Sequence, residues 1–342
     1  MHKVCIWILL FLFFAGCSSK RKKNIERGFY YWRSNFQLTD NDQSLISSLD
    51  SKKIYVKFFD VVWDEDSDEP MPVATIRPKT AIDTSIKIVP TVFITNATFQ
   101  KLQDNNISTF RYNVFKKISE LTKCFGNSIK YDEIQIDCDW NESTREKYFR
   151  FLQEFKKNIG QNIRISATIR LHQVKYFEKT GVPPVDRGML MFYNMGRIDK
   201  YNKENSIFNE SEARKYLINF NKYPLPLDVA LPIFSWAAVY RDGSLINLIS
   251  DFEVALKENN NLTPVGSDTY KVMAPVELKS FVAKQGDIIK FEVMDVNKTR
   301  KAANLIKPYI KDSISVVLYD FNPVNLKRYN EKDLESIYNI FN

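Results

Sequence analysis

The chain has 342 residues, of which 44% are hydrophobic and 14% aromatic, so it can bury a large core in one big domain or two smaller ones. Its net charge is +8, but five of these charges come from Lys3 and the run Lys20-Arg21-Lys22-Lys23, which leaves +3 for the remainder. Because aromatic and basic residues do not alternate in any basic stretch, the composition argues against a nucleic acid partner.

The N-terminal segment has the features of an export signal. Lys3 precedes an apolar run from Val4 to Ala15, which is shorter than the roughly 20 residues of a membrane-spanning helix. The following Phe14-Ala15-Gly16-Cys17 resembles a bacterial lipobox, with Phe where Leu is usual. The resemblance implies a lipoprotein signal peptide over residues 1–16, a lipidated Cys17 and a tether over residues 17–28. An ordinary signal peptide or an anchor helix is the alternative.

A lipidated Cys17 would make the membrane a partner of this protein and place it in the bacterial cell envelope. The basic residues from Lys20 to Lys23 lie where they can contact anionic lipid head groups. No acidic run of the kind associated with surface export follows the cysteine, so we expect an outer-membrane lipoprotein that faces the periplasm. We also expect the protein to be a monomer.

Cysteine and histidine usage limits the chemistry further. Once Cys5 and Cys17 are assigned to the signal and the anchor, Cys124 and Cys138 remain. A disulfide between them is possible in an oxidising compartment, but two small buried hydrophobic residues are the favoured interpretation. Only His172 lies outside the signal, so the sequence predicts no metal cluster and no cofactor.

Eight segments read as β-strands, and helical patterns separate most of them. Thr39 or Asp40 is placed to cap the first helix, and Ser143 with Glu146 has the spacing of a capping box. Other helical patterns cover residues 110–121, 210–220 and 331–341. The predicted strands are residues 29–33, 53–63, 86–96, 131–140, 163–171, 188–194, 227–236 and 313–321.

This alternation predicts an α/β fold, a (β/α)8 TIM barrel over residues 29–342. An open doubly wound sheet is the alternative, but it would require a glycine-rich phosphate turn, and none of the 10 glycines forms one. Residues 241–296 interrupt the alternation of strands and helices after strand seven. We expect them to form an inserted α+β segment with a helix and one or two strands.

In such barrels the functional site lies at the carboxyl ends of the strands. Asp137 and Asp139 alternate with apolar residues and therefore share one face of the fourth strand. Carboxylates can act as acid, base or nucleophile at a glycosidic bond, and Trp or Tyr rings stack on sugars, so the set suits carbohydrate. The strand ends supply Trp32, Arg33, Asp60, Trp63, Asn96, Asp137, Asp139, Arg170, His172, Tyr193, Asn194, Ser235, Trp236 and Asp320.

Each of these residues also has a plain structural interpretation. Asp137 and Asp139 could simply pair with Arg170 in the barrel mouth, while Trp63 and Trp236 could serve as packing residues. The functional prediction depends on all of them converging at one end of a barrel.

Three motifs then resemble the chitinase-like glycoside hydrolases. Ile136-Asp137-Cys138-Asp139-Trp140 resembles their Asp-x-Asp-x-Glu strand, and Met191-Phe192-Tyr193-Asn194 resembles their Met-x-Tyr-Asp strand. Leu231-Pro232-Ile233-Phe234 resembles their seventh strand, after which an inserted subdomain is common. The whole chain also resembles bacterial lipoproteins with a TIM-barrel domain of unknown function. The resemblance implies a carbohydrate ligand.

One departure from that family affects the predicted activity. The position of the catalytic glutamate is occupied by Asn141, which cannot protonate a leaving group, and Asn194 replaces an aspartate. We therefore expect Asp137 or Asp139 as acid, with Asp60 or Asp320 as partner. The predicted substrate-binding residues are Trp32, Arg33, Trp63, Asn141, Arg170, His172, Tyr193, Asn194 and Trp236.

Three functional hypotheses follow from these residues. The first is a glycoside hydrolase-like enzyme with rearranged carboxylates. The second is a glycan-binding lipoprotein without catalytic activity. The third is a structural envelope lipoprotein whose inserted segment contacts another protein.

Overall fold

A computed structural model describes residues 25–80, 83, 85–126, 131–160, 162–250, 252, 258–310 and 314–342. The predicted signal peptide, Cys17 and most of the tether lie outside these ranges. Within them, no helix combines the length and the apolar character that crossing a membrane requires.

The described strands belong to one nine-stranded sheet and three smaller sheets. They are β1 (Glu26–Tyr31), β2 (Asn35–Phe36), β3 (Ser51–Asp64), β4 (Glu69–Val73), β5 (Arg77–Pro78), β6 (Lys87–Ile94), β7 (Glu133–Asp137), β8 (Arg164–Arg170), β9 (Arg187–Met191), β10 (Leu227–Pro232), β11 (Ser235–Arg241), β12 (Ser244–Ser250), β13 (Leu262–Pro264), β14 (Thr269–Val272), β15 (Val276–Leu278), β16 (Phe281–Ala283), β17 (Ile288–Val293) and β18 (Ser315–Tyr319).

The helices lie mainly between the strands of the large sheet. They are α1 (Asp40–Ser48), α2 (Asn96–Lys101), α3 (Ile107–Lys123), α4 (Arg145–Asn158), α5 (Leu171–Lys175), α6 (Phe177–Thr180), α7 (Glu210–Tyr216), α8 (Val296–Ile306), α9 (Pro323–Leu326) and α10 (Glu331–Asn339), with 3₁₀ turns at Asp104–Asn106, Leu217–Lys222 and Lys307–Tyr309.

Eight parallel strands close into a barrel in the order β1, β3, β6, β7, β8, β9, β10 and β18, and β18 pairs back onto β1. Each of them overlaps one of the eight predicted strands, so the predicted (β/α)8 fold is confirmed. The strands are buried on both faces because one face packs inside the barrel and the other packs against helices. Several of the buried side chains are polar, including Gln135 and Thr168.

The barrel closes tightly where β1 meets β3. Gly28 lies at this junction, next to a register shift between Arg27 and Gly28. A Cβ atom at position 28 would lie 2.8 Å from the carbonyl oxygen of Lys53, so only glycine fits without moving the backbone.

Several local predictions hold and others need correction. Thr39 caps α1 through a reciprocal pair with Asp42, as its position predicted. The predicted capping box of Ser143 and Glu146 is wrong, because α4 begins at Arg145 and Asn141 organises the turn before it. Residues 65–78, which lie between the second and third predicted strands, contain β4, which forms a hairpin with the long β3.

The seventh barrel strand also ends earlier than predicted. Pro232 is its last residue, and β11 begins at Ser235 as part of a separate five-stranded antiparallel sheet, β12-β11-β17-β14-β13. Together with the β15–β16 hairpin, this sheet forms the insertion, which we define as residues 235–293. The insertion has its own small core around Phe291, which contacts Phe252 and Tyr270.

The insertion differs in content from the expected α+β segment. The described part of it contains seven strands rather than one or two. The helix that we expected there is not among these described residues, and positions 251 and 253–257 lie outside them.

Both remaining cysteines are free thiols. Cys138 is buried beside the fourth barrel strand, which fits its interpretation as a small hydrophobic residue, whereas Cys124 is exposed at the end of α3. The possible disulfide is therefore not formed, and the prediction of burial for Cys124 is wrong.

Candidate functional site

A cavity of about 320 Å³ opens at the carboxyl end of the barrel. It brings together most of the residues that the sequence predicted for a site. The predicted residues that line it are Trp32, Arg33, Asp137, Asp139, Arg170, Tyr193, Asn194, Ser235, Trp236 and Asp320.

Aromatic rings form a continuous wall of this cavity. Tyr193 stacks on Tyr319 with ring centroids 5.2 Å apart, and Tyr319 also contacts Trp32 at 5.7 Å. On the other side of Tyr319, Phe234 lies at 5.6 Å and packs edge-on against Trp236 at 5.3 Å. Flat apolar rings of this kind suit the apolar face of a sugar.

Asp137 is a cavity carboxylate with a strongly perturbed pKa. It ends β7, is buried, and accepts a hydrogen bond of 2.5 Å from the Thr168 hydroxyl. Burial raises its pKa to about 6, with the nearby Asp139 charge adding to the rise and Arg170 opposing it. A carboxyl group with this pKa can hold or release a proton near neutral pH.

Asp139 has a different environment only two residues away. Its side chain is half exposed and receives hydrogen bonds from Nε of Arg170 and, at 3.0 Å, from Nη2. These two hydrogen bonds fix the orientation of the Asp139 carboxylate relative to the guanidinium. We considered pairing with Arg170 for both aspartates. Asp139 forms hydrogen bonds with Arg170, whereas Asp137 is hydrogen-bonded to Thr168.

Tyr193 and Asn194 follow β9 at the cavity rim. Tyr193 is buried, its hydroxyl lies 2.8 Å from the Met191 sulfur, and burial raises the pKa of the phenol well above its usual value. Asn194 is exposed and has φ of 56°, a left-handed conformation that asparagine tolerates better than most residues. The turn at Asn194 starts the long connection to α7.

His172 lies outside this cavity but lines a neighbouring one of about 410 Å³, together with Tyr216 and Leu171. The two cavities share Asp139, Arg170, Tyr193 and Asn194. Burial, and then the Arg170 charge, lower the pKa of His172, so the imidazole is neutral at pH 7.

Four predicted site residues do not line either cavity. One of them, Asn96, begins α2 and accepts a hydrogen bond from the Thr144 hydroxyl. Asp60 pairs with Lys57 at 2.9 Å on β3, although its charge contributes to the raised pKa of Asp137. Trp63 lies farther along β3, is half-buried against the core, and pairs with Pro70 in the β3–β4 hairpin.

Asn141 is the last of these residues, and its contacts explain its position. Its Oδ1 accepts hydrogen bonds from the backbone N–H groups of Ser143 at 2.9 Å and Thr144 at 3.3 Å. In return, its own N–H donates to the Thr144 hydroxyl at 3.1 Å. The side chain is therefore engaged in the turn that starts α4, where it satisfies free N–H groups.

Sequence reasoning missed five lining residues, which are Phe93, Met191, Phe234, Ser250 and Tyr319. Phe93, Met191, Phe234 and Tyr319 have the apolar character of core residues, and Ser250 reaches the cavity from β12 in the insertion. No local signal in the sequence separates them from packing residues. In the part of the chain that the structure describes, no cluster of His, Cys, Asp or Glu is arranged to hold a metal ion.

The closed strand order defines a (β/α)8 barrel with a cavity at its carboxyl end, and comparison with solved structures agrees on this fold. No family model and no curated protein matches the sequence. The spore cortex-lytic enzyme SleL of Bacillus megaterium is a structural neighbour, with a TM-score of 0.59 and 14% identity over 95% of this chain and 76% of that one.

Two chitinases have similar structures. The chain resembles a chitinase from Chromobacterium violaceum with a TM-score of 0.54 and 10% identity, over 93% of this chain and 98% of that one. It resembles a class V chitinase mutant from Cycas revoluta, solved with (GlcNAc)3, with a TM-score of 0.55 and 13% identity over 92% and 99%. At such identities the likeness establishes the fold and leaves activity to be argued from the site.

Proposed function

We propose that this protein binds a glycan of the bacterial cell envelope in the cavity at the carboxyl end of its barrel. One observation carries the proposal: a continuous aromatic wall faces hydrogen-bonding groups of opposite charge, Asp137, Asp139 and Arg170, within a single open cavity. Sugars present apolar ring faces and polar edges, and such a wall with adjacent polar groups complements both.

Binding is favoured over hydrolysis of the chitinase type because of Asn141. The residue has no acidic proton, and its side-chain oxygen already accepts hydrogen bonds from two N–H groups of the turn before α4. The family's general acid therefore has no counterpart at this position.

Calorimetric titration of the purified protein with (GlcNAc)4, followed by a wider glycan panel, tests the proposal. Structures of related barrels contain this class of ligand, which makes it the first probe. Trp236→Ala should weaken binding by about tenfold or more because it removes a stacking wall. Trp63→Ala, which removes an indole outside the cavity, is the matched control. Absence of binding across the panel would contradict the proposal.

A second candidate function is hydrolysis with Asp137 as general acid. The supporting observation is the raised pKa of this buried carboxyl, about 6, since a general acid must keep its proton at a pH where an ordinary aspartate has lost it. Asp137→Asn should then abolish cleavage of a bound oligosaccharide and preserve its binding. Wild-type protein that binds an oligosaccharide without releasing products would reject this candidate.

We also propose that Cys17 anchors the protein to the outer membrane, facing the periplasm. The lipobox-like Phe14-Ala15-Gly16-Cys17 supports this assignment. Cys17→Ser should move the protein from the membrane fraction to the soluble fraction and prevent incorporation of labelled fatty acid. Cys124→Ser is the control, because that exposed thiol lies in the barrel domain. Unchanged fractionation of the Cys17 variant would contradict the anchor.

A further inference from the structure

One buried carboxylate connects the insertion to the cavity. Glu292 lies on β17, directly opposite Trp236 of β11 in the antiparallel register, and only 1% of it is exposed. Its Oε2 accepts a hydrogen bond of 2.7 Å from the indole N–H of Trp236. The polar edge of the cavity wall is therefore held by a residue that does not itself line the cavity.

The same carboxylate oxygen holds the connection between β9 and α7. Oε2 of Glu292 accepts hydrogen bonds from the Ser206 hydroxyl and, at 3.1 Å, from the Ser206 backbone N–H. Ser206 in turn accepts a hydrogen bond of 3.0 Å from the N–H of Met195, and Asn194 donates to Ile207 at 2.8 Å. Glu292 thus fixes the segment that pairs with Asn194 at the cavity rim.

The charge of Glu292 is compensated within the insertion. Lys290 Nζ lies 2.7 Å from Oε1, and both side chains are almost completely buried. Lys290 also donates to the carbonyl oxygen of Glu204 in the β9–α7 connection. Because a buried ion pair adds little to stability compared with an apolar pair of the same size, stability alone does not account for charges at this position.

We propose that Glu292 is a positioning residue of the glycan site, which fixes the Trp236 indole and the Asn194 rim in one arrangement. The inference rests on the proposed function, because it assigns this arrangement to glycan recognition. A wall held in place before binding loses less conformational entropy when the ligand arrives. The insertion therefore determines the shape of the site, although the barrel supplies its carboxylates.

Glu292→Gln tests this role in the full-length protein, with Asp287→Asn as the matched control. Asp287 is also a buried carboxylate of the insertion, paired with Arg241 by two hydrogen bonds of 2.8 Å, and it does not line the cavity. In Glu292→Gln an amide N–H₂ replaces one acceptor oxygen. We expect (GlcNAc)4, or the panel glycan that binds the wild type, to bind about tenfold more weakly, the effect of one lost charged hydrogen bond.

A ligand-free measurement separates this inference from the proposed function. In protein labelled with 5-fluorotryptophan, Trp236→Phe assigns the ¹⁹F resonance of Trp236. We expect that resonance to shift or broaden in Glu292→Gln and to remain unchanged in Asp287→Asn. If Glu292→Gln fails to fold, Ser206→Ala provides a second test, because it removes one hydrogen-bond donor to the same carboxylate. We expect the Trp236 resonance to shift or broaden in this variant as well.

Different results overturn the two statements. An unchanged Trp236 resonance, or equal glycan affinity in Glu292→Gln and Asp287→Asn, overturns the positioning role of Glu292. A shifted resonance in a protein that binds no glycan supports the fixing of the indole and rejects the proposed function.

Discussion

Asp137 and Asp139 lie two residues apart, yet their surroundings assign them different chemistry. Asp137 is enclosed by the barrel and keeps its proton up to about pH 6, whereas Asp139 reaches the surface and is paired with Arg170. Low solvent access penalises the charged form of Asp137. Asp139 is half exposed and accepts two hydrogen bonds from the Arg170 guanidinium. Two aspartates of one motif are thereby set for different roles toward a ligand.

The raised pKa of Asp137 predicts a pH-dependent loss of stability. The folded protein holds this proton up to about pH 6, while the unfolded chain releases it near pH 4, so stability falls as the pH rises from about 4 to about 6. Asp137→Asn should remove this dependence and stabilise the protein at pH 7 by up to about 3 kcal/mol, the free-energy equivalent of the pKa difference.

Urea unfolding of both proteins at several pH values between 4 and 7 measures the effect. Asp139→Asn is the control, because it removes a half-exposed, paired carboxylate and should not stabilise the protein at pH 7. A stability difference between wild type and Asp137→Asn that stays constant from pH 4 to pH 7 would contradict the prediction.

At the scale of elements, the turn between β7 and α4 determines which side chains reach the cavity. The strand delivers Asp137 to the interior, and the chain then turns at Asn141, whose side chain closes the first turn of the helix region. Thr144 extends this arrangement by donating to Asn96 at the start of α2, which connects two neighbouring barrel loops. Position 141 thus serves local structure.

Asn141→Ala should therefore lower stability and leave glycan binding unchanged. Loss of the Oδ1 acceptor leaves the Ser143 and Thr144 N–H groups without a side-chain partner, at a cost of about 1 kcal/mol, as for other helix-start residues. Thermal or urea unfolding measures the loss, and Asn141→Asp, which keeps the acceptor, should remain close to wild type. A marked loss of glycan affinity in Asn141→Ala would show instead that position 141 contacts the ligand.

At the scale of the whole molecule, charged side chains close the amino-terminal end of the barrel. Lys53 on β3 is buried and reaches Glu26 on β1 at 2.6 Å and Glu133 on β7 at 3.3 Å. Glu133 also accepts a hydrogen bond from the Ser166 hydroxyl on β8 at 2.7 Å. One lysine therefore connects strands from different parts of the barrel wall, at the end opposite the cavity.

Lys53→Met should destabilise the protein by about 3–5 kcal/mol, because it leaves the carboxylate of Glu133 buried with less compensation. The double variant Lys53→Met/Glu133→Gln removes both charges and should recover part of that loss. Urea unfolding at pH 7 provides the comparison. Equal stabilities of the single and double variants would show that the unpaired charge is not the cause.

The sequence by itself determined the eight barrel strands and half of the described helices. Some features depend on near neighbours in the chain, as do the strand residues Ile134 and Ile136 and the helix cap Thr39. Short stretches of sequence are therefore enough to predict them. Alternation of the elements then restricts the fold to very few topologies. The carboxyl ends of the strands correctly indicated where the cavity lies.

Only the tertiary structure decided which side chains face that cavity and what holds them there. Trp236 and Glu292 are 56 residues apart and meet through the register of the insertion sheet, and Asn141 turns toward the α4 helix rather than toward a ligand. These outcomes depend on barrel closure and on pairing between distant strands. Such contacts leave no periodic pattern in the chain, because they join residues whose separation along the sequence is arbitrary.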